Sequence, residues 1–234
     1  MTEIIQMTND AESDLVVWPE AVTVYDKNIS RFIPQKEVIG GFFRKENTNF
    51  YTSAINIKTG HFHDKRNLVP FGEFQPFGNL LESINDFFNI PNSSLSRGDL
   101  NQIKVDWSAL ICWELAFNNT FTDRVRGTKY IIHMSNDKWY GESMPVQHLQ
   151  HAKARAVESN KWVARATLDG ISQIISPRSN ESSKILDRGE KGSITHEITL
   201  NEVDTFYLKY GDAPLLIISA LSLIFGMYTR KNEK

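Results

Sequence analysis

Hydrophobic positions along the 234-residue chain fall into short runs separated by turn residues, and these runs predict buried strands. The segments with this strand character are Leu15–Trp18, Val38–Phe43, Phe50–Ile57, Trp107–Cys112, Tyr130–Met134, Trp162–Thr167 and Ser172–Ile175. Helical spacing of apolar residues marks Gly78–Phe88 and Pro145–Asn160. Strands that alternate with helices over one continuous region are typical of a layered α/β domain.

The C-terminal segment has a different pattern. Ala213–Tyr228 carries no charge, and the charged stretch Thr229–Lys234 follows it directly. Its hydrophobicity runs all the way round a helix, which favours a membrane span over a helix buried along one stripe. We therefore expect one domain over residues 1–208, a transmembrane helix over 209–229 and a basic cytoplasmic tail over 230–234, with the domain on the far side of the membrane. A buried core helix is the alternative.

Composition narrows the possible functions. The net charge is −2, and a chain without a basic excess is not expected to bind nucleic acid in general. The chain has one cysteine, Cys112, so no intrachain disulfide can form. A single cysteine is either a small buried apolar residue or a nucleophile, and composition does not distinguish the two.

Three reactive side chains follow apolar strands. Glu20 comes after the first strand, Lys65 after the third strand and its turn, and Cys112 ends the run WSALI. A carboxylate can take the proton of a thiol, and a fixed ammonium can stabilise the negative charge that develops on an attacked carbonyl. Together these groups predict an acyl-transfer site. Spacing alone also fits a capping glutamate and an exposed lysine.

Several longer motifs carry a specific resemblance. The runs DLVVWPE, DKRNLVPFGEF and ALICWE, and the segment that begins SNDKWYGES, stand in the order and spacing of the apolipoprotein N-acyltransferase family. That family is a membrane branch of the nitrilase superfamily, also called carbon-nitrogen hydrolases. The similarity covers roughly residues 14–177. The run from Leu68 to Glu73 discriminates most, because general amidases of the superfamily lack it.

The resemblance implies a role for each matching residue. Glu20 is expected to be the general base, Cys112 the nucleophile and Lys65 the group that stabilises the oxyanion. Glu73 resembles the family's additional essential carboxylate and is expected to lie near Lys65.

Two further residues follow the nucleophile in the family's pattern. Trp113 and Glu114 stand where an aromatic residue and a glutamate are usual. Both are expected to support the site. For Glu114, a salt bridge beneath the strand end is the alternative.

The resemblance also implies a fold and a reaction. The fold is α/β, a four-layer αββα sandwich with one C-terminal transmembrane helix. The reaction transfers a fatty acyl chain from a membrane phospholipid, through a cysteine thioester, to the N-terminal amine of diacylglyceryl-cysteine in a bacterial lipoprotein. No metal, nucleotide or other cofactor is implied. The location is the inner membrane, with the catalytic domain on the periplasmic side.

Two alternatives stay open. The first is an amidase that uses the same Glu-Lys-Cys triad on a carbon–nitrogen bond. The second is an inactive remnant, because the family's N-terminal membrane bundle and the first strand and helix of its catalytic domain are expected to be missing here.

Other residues have weaker signals. The pairs His61 with His63 and His148 with His151 are interpreted as surface histidines rather than metal ligands, and the run Lys153, Arg155, Lys161 and Arg165 as a solvated face. His133 stands where the family often has asparagine. Trp139 and Tyr140 indicate either a loop over the site or ordinary aromatic packing.

Overall fold

The computed structural model of the chain describes residues 1–76, 94–99 and 103–232. The helix predicted over Gly78–Phe88 lies outside the described residues. After helix α1 (Thr2–Asp10), the first sheet is built from five strands: β1 (Leu15–Val17), β2 (Thr23–Val24), β3 (Glu37–Glu46), β4 (Asn49–Asn56) and β5 (Phe62–Asp64). Their order is β1-β3-β4-β5, and β2 also pairs with β3. Strands β1 and β2 run parallel to β3, whereas β4 and β5 are antiparallel neighbours.

The second sheet follows later in the chain. Its strands are β6 (Trp107–Ile111), β7 (Tyr130–Asn136), β8 (Val163–Leu168) and β9 (Gln173–Ile175), in that order. The first three are parallel, and β9 pairs antiparallel with β8. The helices of this part are α2 (Asn118–Val125), α3 (Ser143–Ser159), α4 (Phe206–Tyr210) and α5 (Ala213–Asn232). Short 3-10 helices cover Lys27–Phe32, Cys112–Ala116, Asp137–Trp139 and Ser179–Glu181.

The two sheets pack face to face, with helices on both outer faces. A buried cluster between the sheets joins Ile39 of β3 to Ala109 of β6 and Ile132 of β7. Helices α2, α3 and α4 pack on the outer face of the second sheet around Leu110. On the opposite side, α1 packs against a cluster that includes Trp18. This αββα arrangement confirms the four-layer sandwich.

Successive side chains on the central strands enter different buried layers. In β3, Val38 belongs to the outer cluster and Ile39 to the cluster between the sheets, and in β7 the neighbours Ile131 and Ile132 divide in the same way. A strand that is buried on both faces needs apolar residues at every position. This explains why these strands appear in the sequence as continuous apolar runs.

Some short elements gave no clear signal. Helix α2 has the polar sequence NNTFTDRV, and β5 has only three residues. The residues before Leu15 hold α1 and, within the described residues 1–14, no strand. The nine-residue helix α1 therefore covers the outer face of the first sheet.

Helix α5 confirms the predicted apolar C-terminal helix, and it is not buried against the described residues. Its apolar side chains are exposed, from 59% at Ile217 to 74% at Met227. In the described part of the chain, Ala213–Arg230 is the one helical segment long and apolar enough to cross a membrane. Exposure of so much apolar surface to water is costly.

Candidate active site

Glu20 lies in the interruption between β1 and β2. The chain leaves β3 after β1, turns at Ala21 with a left-handed φ of 54°, and returns to β3 as β2. Gly41 of β3 allows this close approach, because a Cβ there would stand 2.5 Å from the Glu20 Cα. Glu20 is 5% exposed, and its carboxylate Oε2 accepts a hydrogen bond of 2.9 Å from the Asn136 backbone N–H. Glu20 is therefore fixed between the first sheet and the end of β7.

Lys65 follows β5 directly and is 1% exposed. Its backbone N–H donates to the Thr52 carbonyl oxygen, and its own carbonyl oxygen accepts from the Gly98 N–H, both at 2.8 Å. The side chain enters the interior, where Nζ lies 3.0 Å from Oε1 of Glu20 and 2.6 Å from Oε1 of Glu73. The lysine is thus a buried cation between two carboxylates.

Glu73 is placed by a tight turn in the run from Leu68 to Glu73. The Glu73 N–H donates to the Val69 carbonyl oxygen at 2.8 Å, and Phe71 adopts a left-handed φ of 62°. The second carboxylate oxygen of Glu73 accepts from the Val69 N–H at 2.8 Å. The predicted contact between Glu73 and Lys65 is therefore present.

Cys112 stands where β6 ends and a 3-10 helix begins. Its φ of 56° is left-handed, a conformation that costs a non-glycine residue energy and is common at functional sites. The side chain is 3% exposed and packs in the cluster between the sheets. Its Sγ lies 3.9 Å from the Tyr140 hydroxyl oxygen.

The charges of this site act on one another. Burial raises the pKa of Glu20, although Lys65 opposes the rise. Burial also raises the pKa of Cys112 to about 12, with a further contribution from the Glu20 charge. Burial would lower the pKa of Lys65, but Glu20, Cys112 and Glu73 outweigh it and raise the value. The lysine stays charged, while the thiol needs a base, and a carboxylate with a raised pKa is a stronger base.

Trp113 and Glu114 hold the loop that follows Lys65. The Trp113 Nε1–H donates to the Asn67 carbonyl oxygen at 2.5 Å. Glu114 is fully buried, and its Oε1 accepts from the backbone N–H groups of Arg66 and Asn67 at 2.6 and 3.2 Å.

The other side of the Glu114 carboxylate faces its own strand. Oε2 accepts from the Ile111 N–H at 2.9 Å, and Arg124 Nη2 lies 3.6 Å from Oε1. These contacts include the salt bridge that the sequence left open as an alternative. Glu114 therefore connects the strand that carries Cys112 to the loop after Lys65.

Replacing Glu114 by glutamine is expected to lower the free energy of unfolding by about 3 kcal/mol, because hydrogen bonds to a buried charge are strong and Arg124 loses its carboxylate partner. Chemical denaturation of the purified protein measures this. Glu197→Gln is the control, since Glu197 is exposed. Equal stability of the two variants would contradict this view of Glu114.

A buried polar network supports the Cys112 backbone. Arg165 Nη1 donates to His133 Nδ1 at 2.6 Å, so the His133 proton is on Nε2, which donates to the Cys112 carbonyl oxygen at 3.0 Å. Burial and the Arg165 charge lower the pKa of His133 well below its usual value. Asp137 accepts from Arg165 and from His148 Nδ1, both at 2.9 Å. Neutral His133 and charged Arg165 thus fix the backbone of Cys112.

The burial of several basic and histidine side chains corrects two expectations from the sequence. The basic run is not a solvated face, because Arg155, Lys161 and Arg165 are at most 5% exposed. The surface interpretation holds for His61 and His151 but is wrong for the buried His63 and His148. A helix or strand that is covered on both sides buries the polar residues it carries, and hydrogen bonds compensate for their burial. His63, for example, accepts from the Ala109 N–H at 3.0 Å.

The structure brings all six predicted site residues to one end of the two sheets. Glu20, Lys65 and Glu73 form one ion cluster whose charges act on Cys112, while Trp113 and Glu114 hold the adjacent loop. Residue spacing did not reveal Gly41 or the His133–Arg165–Asp137 network. The motif that begins at Ser135 was a signal for Asp137.

Comparison with known proteins identifies a matching family and similar curated proteins. Residues 35–207 match the carbon-nitrogen hydrolase family, a range that holds Lys65, Glu73 and Cys112 and begins after Glu20. A protein of Shewanella oneidensis named apolipoprotein N-acyltransferase is 32% identical over 95% of this chain and 49% of its own length. A protein of the same name from Vibrio vulnificus is 29% identical over 94% of this chain and 49% of its own length.

The chain thus spans about half the length of the curated relatives it matches. Among solved structures, a CN-hydrolase superfamily protein from Xanthomonas campestris matches with a TM-score of 0.50 and 13% identity, over 91% of this chain and 86% of that one. At this identity the likeness concerns the fold alone.

Proposed function

Because the chain belongs to the carbon-nitrogen hydrolase family, we propose that it catalyses acyl transfer through Cys112, from a membrane phospholipid to the N-terminal amine of diacylglyceryl-cysteine in a lipoprotein. The observation that carries this proposal is the buried Glu20–Lys65–Glu73 cluster, whose charges act on the Cys112 thiol. The name shared by the curated relatives supports the choice of substrates.

In the first step, Cys112 Sγ attacks the carbonyl carbon of a phospholipid ester. The thiol proton passes to Glu20, and this transfer leaves the net charge of the buried cluster unchanged. The Lys65 ammonium stabilises the negative oxygen of the tetrahedral intermediate. The intermediate collapses as its carbon–oxygen bond breaks, and Glu20 returns the proton to the departing alkoxide. The products are a lysophospholipid and a thioester on Cys112.

In the second step, the free amine of the lipoprotein attacks the thioester carbon. A carbon–nitrogen bond forms, the carbon–sulfur bond breaks, and Glu20 takes a proton from the amine and returns it to the sulfur. Glu73 keeps Lys65 charged and in place in both steps, since it holds Nζ at 2.6 Å. All the groups needed for this acid–base chemistry are side chains of the chain itself.

The exposed helix α5 supports a membrane location for this reaction. Both substrates are anchored in lipid, so a catalytic domain tethered to the bilayer meets them at its surface. In this proposal, the catalytic domain extends to the end of α4 at Tyr210, and α5 spans the inner membrane from Ala213 rather than from the predicted residue 209. The charged end of the chain from Arg230 lies in the cytoplasm. The domain then faces the periplasm.

Deleting residues 213–232 is expected to lower binding to phospholipid vesicles at least about tenfold, because their apolar surface is exposed on the domain. Vesicle flotation measures the bound fraction. A chain in which an unrelated apolar helix replaces α5 is the control and is expected to float. Unchanged flotation of the deleted form would contradict the assignment of α5 as the anchor.

The full reaction is tested with the protein in phospholipid vesicles and a synthetic diacylglyceryl-cysteine peptide. Appearance of an N-acylated peptide, detected by mass spectrometry, supports the proposal. An amidase is the second candidate, because Glu20, Lys65 and Cys112 could also act on a carbon–nitrogen bond. Ammonia release from small amides without acyl transfer would favour it. A folded protein that does neither would be an inactive form.

A further inference from the structure

Tyr140 reaches the nucleophile, whereas its neighbour Trp139 does not. Trp139 is 83% exposed, but the Tyr140 ring packs against the cluster between the sheets and lies edge-on to His148, with 6.0 Å between ring centroids. The Tyr140 N–H donates to the Asp137 carbonyl oxygen at 3.1 Å, and its own carbonyl oxygen accepts from Arg188 at 3.1 Å. Backbone and ring are thus both held, and the hydroxyl oxygen lies 3.9 Å from Cys112 Sγ.

The charged side chains near the nucleophile each contact other groups. The Lys65 ammonium contacts Glu20 and Glu73, and the second oxygen of Glu20 accepts from a backbone N–H. Among the described residues, Tyr140 provides the side-chain hydroxyl at hydrogen-bond distance from Sγ. Sulfur forms longer hydrogen bonds than oxygen, and a thiolate can only accept.

We propose that the Tyr140 hydroxyl donates a hydrogen bond to Cys112 Sγ and is a catalytic residue that stabilises the thiolate. This inference rests on the proposed function, to which it adds a group that touches the reacting sulfur. Burial, together with the charge of Cys112 and the hydrogen bond to it, raises the pKa of Tyr140. The phenol therefore stays protonated and remains a donor when the thiol loses its proton.

The hydroxyl acts at two points of the reaction. In the first step, it stabilises the sulfur while the thiol proton moves to Glu20 and the carbon–sulfur bond forms. In the second step, it stabilises the thiolate that leaves when the amine displaces it. No bond to Tyr140 is made or broken in either step, so the tyrosine keeps its proton throughout.

The test compares the wild-type protein with Tyr140→Phe, which keeps the ring and removes the oxygen. Cys112 is the one cysteine of the chain, so iodoacetamide labelling followed by mass spectrometry reports on it alone. At a pH below the pKa of the thiol, the rate of alkylation is proportional to the fraction of Cys112 present as thiolate. We expect Tyr140→Phe to react roughly tenfold more slowly at each pH between about 7 and 9, which corresponds to a rise of about one unit in the thiol pKa.

The other titratable or charged side chains around the pair are unchanged in the variant: Glu20, Lys65, Glu73, His133, His148 and Arg165. Tyr25→Phe is the matched control, because Tyr25 belongs to the cluster on the outer face of the first sheet. It is expected to react like the wild type. Equal or faster alkylation of Tyr140→Phe would overturn the proposal, since a loosened packing would speed alkylation.

Two further measurements cover the cases in which Tyr140→Phe does not fold or the protein has no acyltransferase activity. If Tyr140→Phe does not fold, 3-fluorotyrosine at position 140 gives a stronger donor, and faster alkylation is expected; an unchanged rate would overturn the proposal. Alkylation needs no lipid. Slower labelling of Tyr140→Phe in a protein that forms no acyl adduct with phospholipid would therefore support the contact and contradict the proposed function.

Discussion

Replacing Cys112 by alanine is expected to lower acyl transfer to a lipopeptide by at least about a thousandfold, since no other group of the site can form the thioester. Cys112→Ser is expected to be nearly as inactive, because a hydroxyl gives up its proton much less readily than a thiol. The assay with phospholipid vesicles and a diacylglyceryl-cysteine peptide measures the rate of both variants.

The fold is expected to survive the alanine substitution. Cys112 packs among buried apolar residues between the sheets, and the loss of one sulfur atom costs on the order of 1 kcal/mol of unfolding free energy. Thermal unfolding of wild type and variant serves as the control. A folded Cys112→Ala protein that transfers acyl chains at the wild-type rate would refute the assignment of Cys112 as the nucleophile.

Replacing Lys65 by methionine is expected to remove activity and to lower the unfolding free energy by about 4 kcal/mol, or the unfolding temperature by roughly 10 °C. The reason is that Glu20 and Glu73 remain in the protein without the ammonium that lies 3.0 and 2.6 Å from them. Thermal unfolding in detergent measures the change.

Two further variants test whether the unpaired carboxylates cause this loss of stability. Lys58→Met removes an exposed lysine from the turn after β4 and is expected to leave stability within about 0.5 kcal/mol of wild type. Adding Glu73→Gln to Lys65→Met removes one of the two unpaired charges, so part of the stability is expected to return. If the double variant were less stable than Lys65→Met alone, repulsion between the carboxylates would not be the cause.

Much of the fold follows from the sequence, because strands buried on both faces need continuous apolar residues. Each predicted strand is present, and β3 and β7 are longer than their apolar runs, since hydrogen bonding to neighbours continues into polar residues such as Lys45 and Asn136. The short β2 and β5 were missed because they exist only through pairing with a longer strand. Helix α2 was missed because Phe121 and Val125 are its only apolar residues and its other buried residues are polar.

The candidate site was predictable in part. Glu20, Lys65, Glu73 and Cys112 were identified through the resemblance, and the contacts among the three charged residues agree with that expectation. Their roles in the reaction stay predictions. A glutamate or lysine at a strand end is more often a helix cap or an exposed side chain than part of a site. Without the motifs, the spacing of these residues would therefore not have predicted this cluster.

The network beneath Cys112 could not be predicted. A basic residue in a strand such as Arg165 normally indicates a solvated face, and only the tertiary structure places it against His133 and Asp137. The position of Tyr140 is similar, because adjacent aromatic residues give no indication of which one turns inward. Long-range packing decides both cases.

Intact-mass spectrometry of the membrane-reconstituted protein after incubation with phospholipid tests the central proposal most directly. The proposal predicts an added mass of one fatty acyl chain that hydroxylamine removes and that Cys112→Ala does not acquire. A folded wild-type protein without an adduct, or an equal adduct on Cys112→Ala, would contradict thioester chemistry at Cys112.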